Sequence, residues 1–129
     1  MAKERILVVD DEQDILDLVK QILTEEGFEV ITALNGEEGL EKVYSQAPDL
    51  MILDIVMPGM DGWEVCRKIR EDPLYKHLPI IVLTVNRTKI DKIKAFNLGA
   101  DEYITKPCYS KELLARVKTV LQRSSGRKR

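Results

Sequence analysis

Five strand-length segments that alternate with helical patterns constrain this chain more than any other feature. Ile6 to Val9, Leu50 to Leu53 and Ile80 to Leu83 are apolar at every position. A strand with both faces apolar belongs in the middle of a parallel sheet, covered by helices on either side. Phe28 to Ala33 and Glu102 to Thr105 read as the remaining strands. Between them, Ile15, Leu18, Val19, Ile22 and Leu23 recur at helical spacing, and Gly36 to Ser45 and Trp63 to Arg70 read as two further helices. Ile90, Ile93, Lys94 and Phe96 mark the fourth helix; Leu113, Leu114, Val117, Val120 and Leu121 mark the fifth. Gly27 and Gly99 stop the first and fourth helices. Asp14 is the expected N-cap of the first, and Ser110, with Glu112 in the first turn, that of the last. Such alternation predicts an α/β fold, a (βα)5 doubly wound parallel sheet.

A chain of 129 residues suffices for one well-buried core. Residues 1–123 are expected to form it, with 124–129 as a basic linker or tail, because Ser124-Ser125-Gly126 is flexible linker chemistry. Apolar runs of four or five residues are too short to span a membrane. Ile6 to Val9 is likewise too short for a secretory signal, which predicts a cytoplasmic protein. Without the basic residues Arg127, Lys128 and Arg129, the chain holds 17 basic against 22 acidic residues. That acidic body argues against direct nucleic-acid binding. Cys66 and Cys108 lack metal-ligand spacing and have only His77 for company, so free thiols are expected and a zinc site is not.

The polar residues fall where the strands stop. Strand one runs into Asp10-Asp11, strand three into Asp54, strand four into Thr84 and strand five into Lys106. Open parallel sheets bind ligands beyond the carboxyl ends of their strands, where strand order reverses. Strand two stops at Ala33-Leu34 and suits an edge. Three carboxylates in one crevice repel, two of them at ~4 Å by about 4 kcal/mol at an effective dielectric near 20. Protons or a cation must neutralise them, and Mg²⁺ fits a set of hard oxygen ligands. A phosphoryl group bridging that ion and Lys106, with the Thr84 hydroxyl donating to it, would balance the charge. A carboxylate can itself receive the phosphoryl group. Taken singly, each residue has a plainer role as a cap, turn or loop residue; the joint pattern points to a site.

Val8-Val9-Asp10-Asp11-Glu12, the stretch from Asp49 through Asp54 and Pro58 to Gly62, Ile80-Ile81-Val82-Leu83-Thr84, and Gly99 through Lys106-Pro107 resemble the receiver domains of bacterial two-component response regulators. The likeness runs from about residue 4 to residue 122. It implies a flavodoxin-like fold with strand order 2-1-3-4-5. It implies that Asp54 accepts a phosphoryl group from a sensor histidine kinase, a phosphotransfer protein or a small phosphodonor. Asp10, Asp11, Asp54 and the backbone carbonyl of Val56 would hold Mg²⁺, and Lys106 would contact the phosphoryl group. Thr84 would move toward it, and Tyr103 would turn from exposed to buried in step. The Lys106-Pro107 bond would be cis. Val56 and Asn86 would flank the phosphoryl group and tune its lifetime; an apolar Val56 cannot orient water, so a long-lived state is expected.

The fourth helix, fifth strand and fifth helix would register the change and control an output domain or partner. Lys92, Asp101, Glu102, Glu112, Arg116 and Lys118 on that surface resemble a dimerising face, although Ile90 stands where an acid is usual, so any homodimer should be weak. Val85 is larger than the usual Ala or Gly and is expected to crowd the phosphoryl pocket or the path of Tyr103. Cys108 replaces a common Phe. Two other readings compete: a Mg²⁺ phosphohydrolase with an aspartyl-phosphate intermediate, and an inert domain of the same shape. Such hydrolases typically carry a second Asp two residues after the nucleophile as acid/base; Val56 at that position counts against this reading.

Overall fold

The computed structural model describes residues 3–85, 89–106 and 110–127. Ten elements alternate along them: β1 (Arg5–Val9), α1 (Gln13–Glu25), β2 (Glu29–Ala33), α2 (Gly36–Gln46), β3 (Leu50–Leu53), α3 (Gly62–Glu71), β4 (Ile80–Thr84), α4 (Lys89–Asn97), β5 (Glu102–Thr105) and α5 (Ser110–Arg127). The strands form one parallel sheet in the order β2-β1-β3-β4-β5, as expected. In register, Val9 lies level with Ala33 on one side and Leu53 on the other, and Thr84 lies level with Thr105.

The apolar runs bury both faces because alternate residues feed two different cores. Leu7, Val9, Met51, Leu53 and Val82 pack with Val43, Val65, Ile69 and Ala95 of α2, α3 and α4. Ile6, Val8, Leu50, Ile52, Ile81 and Leu83 pack with Leu16, Val19 and Leu23 of α1 and Leu113 and Val117 of α5. Each fully buried Leu, Ile or Val contributes about 1.5–3 kcal/mol. An acid at Val9 or Ile52 would place an unpaired charge between sheet and helices.

The helix starts are built locally. Asn35 Oδ1 accepts the Glu38 N–H at 2.8 Å to cap α2, and Asp61 Oδ1 accepts the Glu64 N–H at 3.0 Å to cap α3. The start of α1 departs from expectation. Asp10 Oδ1 accepts the Glu12 N–H at 2.9 Å and turns the chain early, so Glu12 holds the N-cap position. Asp14 therefore lies inside the first turn, where its charge faces the positive end of the helix. The other departure is at the far end. Helix α5 continues through Ser124, which is buried, to Arg127, where a flexible linker was expected from Ser124 onward. Leu121 and Ser124 are both buried, so this part of α5 still packs on the domain despite the weak helix propensity of Ser.

Candidate functional site

Sheet order reverses between β1 and β3, so the chain leaves those two neighbouring strands toward opposite sides and opens a crevice beyond them. Asp10 and Asp54 occupy it. The Asp54 N–H donates to Val9 O at 2.9 Å and the Asp10 N–H to Ala33 O at 3.1 Å, which fixes both backbones to the strand ends. Lys106 reaches in from the end of β5. Its Nζ donates to Asp10 Oδ2 at 2.7 Å and to Asp54 Oδ2 at 3.4 Å. All three side chains are buried: Asp10 is 2%, Asp54 4% and Lys106 7% exposed. The lysine backbone is pinned too, its N–H donating to Thr84 O at 2.8 Å. Thr84 itself is fully buried at the end of β4.

The electrostatics follow from that burial. Desolvation pushes the Asp54 carboxyl above the usual carboxylate range, and the Asp10 charge adds to the effect. The Lys106 charge and the Val56 N–H, which donates to Asp54 Oδ1 at 3.2 Å, pull the other way without cancelling it. For Lys106, burial lowers the pKa, but the hydrogen bond to Asp10 and the two carboxylate charges outweigh it and leave the ammonium raised. Lys106 is thus the cation that lets two buried carboxylates share one crevice.

Asp11 and Glu12 stand at the exposed rim. Carboxylate oxygens of Asp10, Asp11 and Glu12 lie within 4.8 Å of one another, a set of hard oxygen donors suited to a divalent cation. Asp54 lies outside that group and joins it through Lys106, whose Nζ is also 3.9 Å from Glu12 Oε1. Glu12 is not among the residues expected to hold a cation; its place directly after two crevice aspartates is the sequence signal for it. Gly62 is a second residue whose part in the site the sequence motif alone does not show. A Cβ at Gly62 would collide with the Asp54 backbone and stand 2.6 Å from Ile55 Cα, so the start of α3 can rest directly under Asp54. The Gly62 N–H donates to Ile55 O at 2.9 Å and holds it there.

Other expected residues are placed differently. The Val56 side chain is 54% exposed beside the crevice. Tyr103 is buried against the α2–α4 side of the sheet, level with Val82, with Lys92 Nζ 6.0 Å from its ring centre. This is the inward arrangement. Val85 is 59% exposed, so it does not hold Tyr103 out. Asn86, Pro107 and Cys108 lie outside the described residues; Cys66 is a free, buried thiol whose pKa desolvation raises to about 11. Of the surface charges expected on one face, Asp101 meets Arg70 at 3.2 Å and Lys118 meets Glu26, the residue that caps the C-terminus of α1, at 3.0 Å. Glu102 pairs with Arg116 at 3.2 Å and Arg123 at 3.9 Å.

Fold and crevice together define a class, and the chain belongs to the response regulator receiver domain family, whose model matches residues 6–118. Domains of this family act as phosphorylation-activated switches in two-component signalling. The chain is 46% identical over 121 residues to the alkaline phosphatase synthesis transcriptional regulatory protein PhoP of Bacillus subtilis (strain 168), covering 94% of this chain and 50% of that protein. It thus spans about half the length of that curated relative. Among solved structures it is similar to a CheY-like response regulator receiver domain protein from Methanospirillum hungatei JF-1, at 36% identity and TM-score 0.91, covering 98% and 99% of the two chains. It is also similar to the chemotaxis protein CheY4 of Vibrio cholerae, at 34% identity and TM-score 0.88, covering 92% and 99%. Among the described residues, no helix is long and apolar enough to cross a membrane.

Proposed function

We propose that Asp54 is the phosphoacceptor of this switch, and that the domain catalyses only its own phosphorylation and slow dephosphorylation. The observation that carries this reading is the convergence of Asp10, Asp54 and Lys106 in one buried crevice at the strand ends. An Asp54 carboxylate oxygen forms the new P–O bond as the P–N bond of a phosphohistidine, or the P–O bond of an acyl phosphate, breaks. The bonding pair leaves with the imidazole, which takes a proton from solvent, or with the carboxylate. Asp10, Asp11, Asp54 and the Val56 carbonyl would hold Mg²⁺, which supplies charge neutralisation for the carboxylates and the incoming phosphoryl oxygens. Lys106 would then have a phosphoryl oxygen as a new partner, and the Thr84 hydroxyl would donate to another. Tyr103, already inward, would hold the space that Thr84 vacates.

The added charge of about −1.5 to −2 would be read at α4, β5 and α5 by an output domain or a partner protein. Phosphodonors would be a sensor histidine kinase, a phosphotransfer protein or a small acyl phosphate, in the cytoplasm. The receiver unit would extend through α5 to Arg127, with no nucleic acid bound by this domain itself. A homodimer through α4-β5-α5 would be weak, because Glu102 and Asp101 already pair within the chain. Exposed pairs formed across such a face would be worth only about 0.2–1 kcal/mol each.

Incubation with acetyl phosphate and Mg²⁺, followed by intact mass and phosphate release, separates the readings. A stable adduct of one phosphoryl group is expected only when Mg²⁺ is present. Steady phosphate release at many turnovers would favour a phosphohydrolase, and the absence of any adduct would favour an inert domain.

A further inference from the structure

At the opposite pole of the sheet from Asp54, one side chain ties three elements together. Arg70, near the end of α3, donates from Nε and Nη2 to Gly99 O at 3.0 and 2.6 Å. Its Nη1 donates to Leu78 O at 2.6 Å and to Lys76 O at 3.1 Å, just before β4. Nη2 also meets Asp101 Oδ2 at 3.2 Å, and that same oxygen accepts the Ile80 N–H at 2.9 Å. The Asp101 N–H returns a bond to Ile80 O at 2.8 Å. Gly99 has φ +92, and a Cβ there would stand 2.6 Å from Arg70 Nε, so the loop is shaped around the guanidinium. Helix α4 ends on this anchor: the Gly99 N–H donates to Phe96 O and the Ala100 N–H to Ala95 O, each at 3.0 Å.

The consequence is mechanical. Strand β4 carries Thr84 at one end and is tied through Arg70 to α4 and β5 at the other, roughly 13 Å away for a four-residue rise. A helix fixed at its C-terminal end would turn about the short loop that anchors it, the usual form of a hinge. A planar guanidinium offers five donors in a fixed fork, and a lysine ammonium cannot reproduce that geometry.

We propose that Arg70 is a positioning residue of the switch, which anchors the C-terminal end of α4 and the start of β5 to the base of β4, so that a change begun at Thr84 is delivered as a tilt of α4 about Gly99. This rests on the reading of Asp54 as phosphoacceptor. Asp54 chemistry is untouched by the anchor; the transmission of its consequences is not.

The test is an amide NMR comparison of ¹⁵N-labelled wild type and Arg70→Lys, with acetyl phosphate and Mg²⁺, alongside intact mass. In the wild type, phosphorylation is expected to shift amides around Asp54 and Ile55 and also across Lys92–Asn97. In Arg70→Lys the adduct and the Asp54–Ile55 shifts persist, while the shifts across Lys92–Asn97 fall to less than about half, as a lost coupling requires. Equal α4 shifts in both proteins would overturn the proposal, as would a phosphorylated wild type with no α4 response. Absence of an adduct in the wild type would instead sink the phosphoacceptor reading itself. Should Arg70→Lys melt below the assay temperature, Asp101→Asn takes its place, since it retains an acceptor for the Ile80 N–H and removes only the charge facing Arg70. Unfolding of both variants would assign Arg70 to stability alone and overturn the positioning role.

Discussion

Lys106 Nζ lies 2.7 Å from Asp10 Oδ2, inside a crevice that also holds Asp54 Oδ2 at 3.4 Å. Removing the ammonium leaves two buried carboxylates without their cation. Lys106→Met should therefore destabilise the metal-free protein at pH 7 by on the order of 3 kcal/mol. A divalent ion binds only the folded state, so Mg²⁺ should recover part of that loss, growing with concentration as mass action dictates. Urea melts in EDTA and in Mg²⁺ measure both effects. Equal stability of the two proteins in EDTA would contradict the assigned role.

The Asp54 carboxyl is raised by burial and by Asp10, so between its unfolded and folded pKa the native state holds the extra proton. Stability contributed by that proton is present below the ordinary carboxylate range and is lost as pH rises through the raised value. Asp54→Asn, neutral at every pH, should be more stable than wild type at pH 7 in EDTA, and the gap should close as pH falls toward 4. Lys106 is raised as well, so its contribution should persist through neutral pH and vanish only as pH climbs above the ordinary lysine value. Thermal melts of both proteins across pH report these windows. A gap that widens on acidification would refute the assignment.

Val56 projects into solvent beside Asp54 and offers nothing to hold a water in line with the phosphorus. Val56→Asn should shorten the phosphoryl lifetime by about tenfold, equivalent to ~1.4 kcal/mol in the barrier. Phosphate release after removal of the donor gives the rate. An unchanged rate would mean that solvent access, and not the side chain, limits hydrolysis.

Gly62 admits α3 to within contact of the Asp54 backbone. A methyl group at this position meets main chain that cannot rotate away, so Gly62→Ala should cost about 1–3 kcal/mol and slow phosphorylation by displacing Asp54. Stability and initial adduct formation should fall together. Full phosphorylation rate in a destabilised variant would show that the contact supports folding only.

Much of this was legible because period and punctuation agree in the sequence. The wholly apolar runs at Ile6, Leu50 and Ile80 could only be central parallel strands, and their abrupt ends at Asp10, Asp54 and Thr84 marked the crevice. The illegible parts depend on contacts between segments far apart in the chain. Arg70 gives no signal in the sequence beyond its place at the end of a helical stretch, yet it binds carbonyls and a carboxylate up to 31 residues away. Asp101 looked like surface and is an acceptor for the Ile80 N–H. Ser124-Ser125-Gly126 had the composition of a linker, but local propensity is a weak prior where a helix packs on a core. The start of α1 was misplaced because Asp10 both serves the crevice and sets the turn.

The most direct test of the account is to locate the phosphoryl group itself. After acetyl phosphate and Mg²⁺, peptide mapping of the acid-quenched protein should find one phosphoryl group on the peptide containing Asp54, and Asp54→Asn should carry none. An adduct that survives in Asp54→Asn, or one that maps to a different peptide in the wild type, would contradict the central claim.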